Sequence, residues 1–283
     1  DQSNGYKALI LSSLSFSLMS ICVKNIAGRI PIVEIIFFRS LISLIITRLQ
    51  LHNKRINPWG KNKKLLILRG VLGTSALFCV FKALGSLPIA SATVIQYTYP
   101  TFTAIGAWLF LKEKNNINIW LAVVIGWIGI CMVLQPSWGE DLVFKFSLNE
   151  ILIALSGAIL TSMAYLCIRK LSKTEENLVI IYYFPFISLL LTTPIILKDY
   201  ISASGIDLIW LLATGIFTQS GQVLITKGLK LLTAGKASSI SYIQVLFSSI
   251  LGFIFFNEGI DPLTALGSLF ILSATLISIK SNN

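Results

Sequence analysis

Only 12% of the 283 residues are charged, whereas 55% are hydrophobic, and no soluble core absorbs that much apolar surface. Histidine is nearly missing. His52 stands alone in a basic stretch, so histidine-based metal sites and nucleophile–histidine pairs have nothing to draw on. The four cysteines, Cys22, Cys79, Cys131 and Cys167, are scattered through apolar runs without ligand spacing and read as packing residues. Carboxylates are absent from the middle of every apolar run: Glu34, Glu113, Glu150, Asp207, Glu258 and Asp261 all lie near run ends. That excludes paired-carboxylate catalysis and leaves no buried acid for proton coupling. Glu113 and Glu258 read instead as helix-end residues that complement a dipole or cap. No ring of like charge and no filter-like loop points to an ion channel. Long loops are also lacking, since only Arg48 to Lys64 and Pro136 to Ser147 could hold much structure, so no soluble domain is expected.

Lys and Arg outnumber Asp and Glu by 23 to 12, a net charge of +11. Nucleic acid would be the usual partner of such a balance, but the charges sit in short loops between apolar runs, where basic residues set membrane topology. Ten membrane-length runs are predicted, near 7–24, 32–50, 65–84, 88–111, 117–135, 148–168, 178–197, 206–228, 234–257 and 261–279. The first is followed by Lys24, Asn25 and Arg29 without a small-residue cleavage site, and is expected to be a retained helix.

Shifting the chain by 145 residues against itself pairs Ser17 with Ser162, Cys22 with Cys167, Gly70 with Gly215, Lys82 with Lys227, Tyr97 with Tyr242 and Glu113 with Glu258. Matches at this shift are roughly twice what composition gives, and they superimpose the run boundaries. Residues 1–137 and 148–283 are therefore expected to be two five-helix repeats. An odd number of helices per repeat makes the second enter the membrane from the opposite side. With both termini cytoplasmic, the inner side receives most of the basic residues, Arg69 counted among them, and the outer side keeps Lys24, Arg29, Lys82, Lys145 and Lys198.

The fourth run carries polar residues in its interior. Thr93, Gln96, Tyr97 and Pro100 recur at i, i+3, i+4 and i+7, so they share one face of a single spanning helix, and Pro100 leaves the Gln96 carbonyl without its helical donor. Such a face avoids lipid and lines a protein interior or a cavity. Arg39 lies about 12–14 Å from either end of the second run, near the midplane. A charge there costs about 2.5–3.5 kcal/mol on the lenient insertion scale. Two readings of it stay open, a ligand for an anionic group and an arginine tied to helix-end carbonyls. Gln219, Gln222 and Thr226 share a face of the eighth run. Ser241 and Tyr242 fall in the ninth, and Ser17 and Tyr165 in the first and sixth. Single serines and threonines are more often bonded to the backbone of their own helix. Gly70, Gly73, Gly126 and Gly129 read as helix-contact positions.

The motifs Phe38-Arg39, Ala83-Leu84 with Leu87-Pro88 and Ala90 to Thr93, Tyr99-Pro100 and Leu111-Lys112-Glu113 resemble the EamA family of the drug/metabolite transporter superfamily. Ala237, Tyr242 and Asn257-Glu258-Gly259 form a fainter second copy, which departs at Val245, where Pro100 would repeat. The resemblance implies an all-α integral membrane protein of the inner membrane, in which spans one to four and six to nine enclose a central cavity. It implies a secondary transporter, not an enzyme, without cofactor or metal, whose partners are a small-molecule substrate and the lipid bilayer. Amino acids and related metabolites come first as substrates. Uptake of a nucleoside-type metabolite such as S-adenosylmethionine or of a carboxylate stays open, as does a lipid-linked substrate flippase. On this reading Arg39 holds an anionic group, and Gln96 and Tyr97 orient the polar part. Gln219, Gln222 and Tyr242 close the site from the other half, Ser17 and Tyr165 line it, and Pro100 bends the gating helix.

Overall fold

A computed structural model describes residues 2–87, 89–113, 116–134, 147–198, 203, 205–257 and 262–280. All the regular structure among them is helical: α1 (Gln2–Ile26), α2 (Ile32–Asn53), α3 (Lys63–Ser86), α4 (Ile89–Gln96), α5 (Tyr99–Leu111), α6 (Ile117–Leu134), α7 (Leu148–Leu171), α8 (Asn177–Ile196), α9 (Gly205–Leu231), α10 (Ala234–Ile240), α11 (Ile243–Phe256) and α12 (Pro262–Lys280). Six apolar stretches are long enough to cross a membrane, with α10 and α11 together forming one of them. Tyr99–Leu111, Ile117–Gly129 and Ala265–Ile277 are shorter apolar helices. Pro88, Glu258 and Asp261, which bear on the expected spans and caps, lie outside the described residues.

Local chemistry explains several ends. Asn62 caps α3 by accepting from the Leu65 amide, and Ser147 with Glu150 forms a reciprocal capping box at the start of α7. α5 and α11 both end on a left-handed residue, Lys112 at φ 54° and Asn257 at φ 49°, which closes the last turn. Within the helices, Ser13, Thr47, Thr74, Thr192 and Thr226 donate to the carbonyl one turn back, as expected of hydroxyls that need a partner in an apolar setting.

Two expected single helices are broken. The fourth run turns at Tyr97–Thr98, between α4 and α5, and the ninth turns at Ser241–Tyr242, between α10 and α11. These turns overlap to within one residue under the 145-residue shift, and the left-handed caps at Lys112 and Asn257 coincide. Proline does not create the break, because Val245 stands where Pro100 would repeat and the second turn forms without it. Pro100 sits in the first turn of α5, where the missing N–H costs no helical bond.

The two halves interleave. α1 packs on α9 and α7 on α3; α2 packs on α9 and α8 on α3; α1 packs on α11 and α7 on α5. Each of these packings has its counterpart when the halves are exchanged, and α2 against α8 and α6 against α12 are their own counterparts. The hydrogen bonds follow the same exchange. Ser43 bonds Gln219, and Thr74 bonds Ser188 at 2.7 Å, positions related by the same shift. The ends are latched across halves too. Arg29, after α1, pairs with Asp207 at the start of α9 at 2.8 Å, and Glu175, after α7, accepts from the Lys61 and Asn62 amides at the start of α3 at 2.8 and 2.6 Å.

The outer surface is apolar. Trp108, Leu109 and Phe110 of α5 and Ile117, Leu121 and Val124 of α6 all face outward, an area that a soluble protein does not leave bare. Lipid is the solvent this surface fits.

Candidate functional site

A cavity of about 120 Å³ lies between α1, α2, α3, α4, α7, α8 and α9, the turn after α4 at Tyr97, and the first turns of α5 and α11. It has room for several waters and hence for a small solute. Its most polar wall is built on α2 and α3. Arg39, midway along α2, is fully buried, and its Nε, Nη1 and Nη2 have no hydrogen-bond partner. Its guanidinium carbon lies 4.6 Å from the centre of the Phe184 ring on α8. Arg39 and Phe184 occupy equivalent positions under the repeat, so the contact falls where α2 meets its own counterpart.

Arg69 of α3 reaches the same ring, with its guanidinium carbon 4.3 Å from the centre. It is 1% exposed, its Nη2 donates to Gln222 Oε1 at 2.9 Å, and its Nε and Nη1 have no partner. Gly73, one turn on, makes this possible. A Cβ there would collide with Arg69 Nη1 and come within 3.1 Å of the Phe184 ring. Gly73 is thus the close-contact position that the sequence suggests, with its contact inside the cavity wall. Arg69 itself corrects an expectation: it does not belong with the basic residues of the preceding loop. It lies six residues into α3, roughly 9 Å from the helix start at 1.5 Å per residue, and its head points inward.

Magnitudes decide what these arginines require. Stacking on an aromatic ring contributes up to about 2 kcal/mol when desolvated, less than the several kcal/mol it costs to bury each unpaired ion. Gln222 supplies one neutral acceptor. Among the described residues, none that lines the cavity is acidic.

The remaining wall combines both halves. Gln96 Nε2 donates to Thr161 at 2.8 Å, and its Oε1 is buried without a partner. The Tyr97 hydroxyl donates to Gln244 Oε1, joining the turn after α4 to the first turn of α11. Tyr99 stacks edge-on with Tyr97 at 5.1 Å and with Tyr165 at 5.3 Å. Both α5 and α11 begin at this wall, through Tyr99 and Gln244, and α4 ends at it through Gln96.

Arg39, Gln96, Tyr97, Gln222 and Tyr165, all singled out in the sequence, meet in the cavity. Gln219, Ser17 and Tyr242 are placed elsewhere. Gln219 bonds Ser43 and donates to Thr47 at 2.9 Å, tying α9 to α2. Ser17 bonds the Gln244 carbonyl and Ser248, tying α1 to α11. Tyr242 is fully buried against Gly126 of α6. Arg69, Tyr99, Gln244 and Thr161 are lining residues that the sequence does not single out. The depth of Arg69 inside its run and the polar cluster Ser238 to Gln244 were the available signals. Glu113 caps a helix, though not its own neighbour. It accepts from the Ala234 amide at the start of α10 at 3.0 Å and pairs with Arg169 at 2.7 Å.

A chain of apolar helices that closes a charged, solute-sized cavity over two broken helices is built as a membrane transporter. The model of the EamA-like transporter family matches residues 3–135 and again 148–280. The chain belongs to that family, and it is a multi-pass membrane transporter of small molecules, not an enzyme. It is 27% identical to a pseudopaline exporter of Pseudomonas aeruginosa, over 96% of this chain and 95% of that one. It is 29% identical to human solute carrier family 35 member G1, over 94% and 76%, and 26% identical to an S-adenosylmethionine uptake transporter of Rickettsia prowazekii, over 98% and 93%. A solved crystal structure shares the fold with a TM-score of 0.77 at 15% identity, covering 96% of each chain.

Proposed function

We propose that the protein is a ten-span secondary carrier of the inner membrane, with both termini cytoplasmic. It moves a small polar organic metabolite by alternating access, and Arg39 holds an anionic group of the substrate. The observation that carries this reading is a fully buried guanidinium with three unpartnered nitrogens in a cavity without acids. Residues 1–137 and 148–283 are its two inverted repeats, a reading supported by the exchange symmetry of the packing and by the twofold family match. Gln96, Tyr97, Gln222 and Tyr165 orient the substrate. Gln219, Ser17 and Tyr242 support the site from behind, and the turn at Tyr97–Thr98, held in place by Pro100 in the first turn of α5, is the hinge of the gate.

Amino acids and carboxylates carry the group that Arg39 suits. Relatives named for export and for uptake both exist, so direction is a property of the individual carrier. A flippase for a lipid-linked substrate would need an apolar lateral opening, and the arginines, glutamines and tyrosines of this wall speak for a soluble cargo. The test is uptake into proteoliposomes. Arg39→Gln is expected to lower transport of an anionic substrate at least a hundredfold while the protein accumulates and unfolds near the wild-type temperature. A stable Arg39→Gln protein that transports at the wild-type rate would sink the proposal.

A further inference from the structure

Arg69 adds something that one anion-binding arginine does not explain. The two guanidinium carbons are 4.6 and 4.3 Å from one ring centre, so they can be no farther apart than the sum of those distances. Two like charges at that separation repel each other, and both are buried, so screening by bulk solvent is weak. Helix α3 nevertheless keeps a glycine at position 73 that makes room for the second one. A single carboxylate would neutralise one guanidinium and leave the other uncompensated.

On the reading that this cavity is the carrier's substrate site, we propose that its cargo is a short organic dianion, a dicarboxylate. Arg39 and Arg69 each hold one carboxylate, and Phe184 sets the spacing between them. The repeat makes the asymmetry plain: the counterparts of Arg39 and Arg69 are Phe184 and Thr214, so both charges come from the first half. The second half contributes the ring and Gln222, which holds Arg69 by one hydrogen bond. The orphaned Gln96 Oε1 and Thr218 Oγ1 can accept from a hydroxyl on the dicarboxylate's chain. A cation such as S-adenosylmethionine would face two uncompensated positive charges.

The experiment uses the full-length protein in detergent and in proteoliposomes, with malate, succinate, butyrate, inorganic phosphate and S-adenosylmethionine as probes. Thermal shift and counterflow are the readouts. Malate and succinate are expected to bind at least tenfold more tightly than butyrate, the monoanion of the same chain length. Arg69→Gln is expected to erase that advantage, so that malate, succinate and butyrate bind the variant within about twofold of one another. Arg69→Lys should restore part of it. The proposal is overturned if butyrate matches succinate on the wild type, if phosphate alone binds, or if folded Arg69→Gln keeps full affinity for malate. The wild-type series decides the matter even where a variant fails to fold. Counterflow of an amino acid or of S-adenosylmethionine without any dianion would leave the carrier standing and remove the dicarboxylate. If no solute stabilises the protein or is moved, the carrier reading itself has failed.

Discussion

Arg39 was legible as an outlier, because an arginine in the middle of an apolar run leaves few explanations. Arg69 was not, because three lysines lie just ahead of it at positions 61, 63 and 64, and a charge beside a basic loop reads as topology. Only the direction of the side chain separates the two cases, and Gly73 sets that direction. A methyl group at position 73 would strike Arg69 and crowd Phe184. Overpacking of this kind costs about 1–3 kcal/mol, against the gain of about 1 kcal/mol from replacing a helical glycine by alanine. Gly73→Ala is therefore expected to lower the unfolding temperature by a few degrees and to weaken substrate binding about tenfold. Gly85→Ala in the same helix, whose nearest contact is Ala27 Cβ at 3.4 Å, should be neutral or stabilising. Equal effects of the two substitutions on binding would mean that Gly73 does not shape the site.

At the scale of elements, the run boundaries were readable to within a few residues, because lipid and backbone chemistry leave little choice in a span. The interruptions were harder to see. Hydropathy carries straight through Ser241–Tyr242, and in the first half the proline drew attention two residues past the actual turn. The break needs no helix breaker because the residues beside it find partners elsewhere. Tyr97 reaches Gln244 across the halves, and Thr98 bonds the Ile95 carbonyl through both its amide and its hydroxyl. The Thr98–Ile95 bonds stay within the turn, whereas the Tyr97–Gln244 bond is long-range and has no local pattern. The same holds for Gln219, which looks like a cavity residue by its spacing and is instead the counterpart of Thr74 in a pair of symmetric inter-helix bonds.

For the whole molecule, the repeat was the most informative thing in the sequence, since it relates turns, caps, packings and hydrogen bonds that no single segment encodes. On the proposed inversion, the two end latches lie on opposite faces of the membrane. With an inverted repeat, Lys61→Cys is labelled by an impermeant maleimide only from the cytoplasmic side, and Arg29→Cys only from outside, in cells expressing one variant at a time. Labelling of both from the same side would mean that α2 does not cross the membrane and would overturn the proposed topology.

The arginine pair against Phe184 also makes the cavity an electrical element. On the proposed cargo, the unloaded cavity carries two positive charges with no acidic residue in its described lining, and the cavity loaded with a dianion is neutral. Moving one charge through 100 mV is worth about 2.3 kcal/mol, so reorientation of the empty cavity feels the membrane potential and reorientation of the full one does not. Exchange of one anion for another should run at the same rate whatever the potential imposed on proteoliposomes, while net flux, which includes the empty return, should change several-fold between 0 and 100 mV. An exchange rate that follows the imposed potential would mean that the two guanidiniums stay fixed in the field as the protein switches, so that the dianion's own charge crosses it in the loaded step.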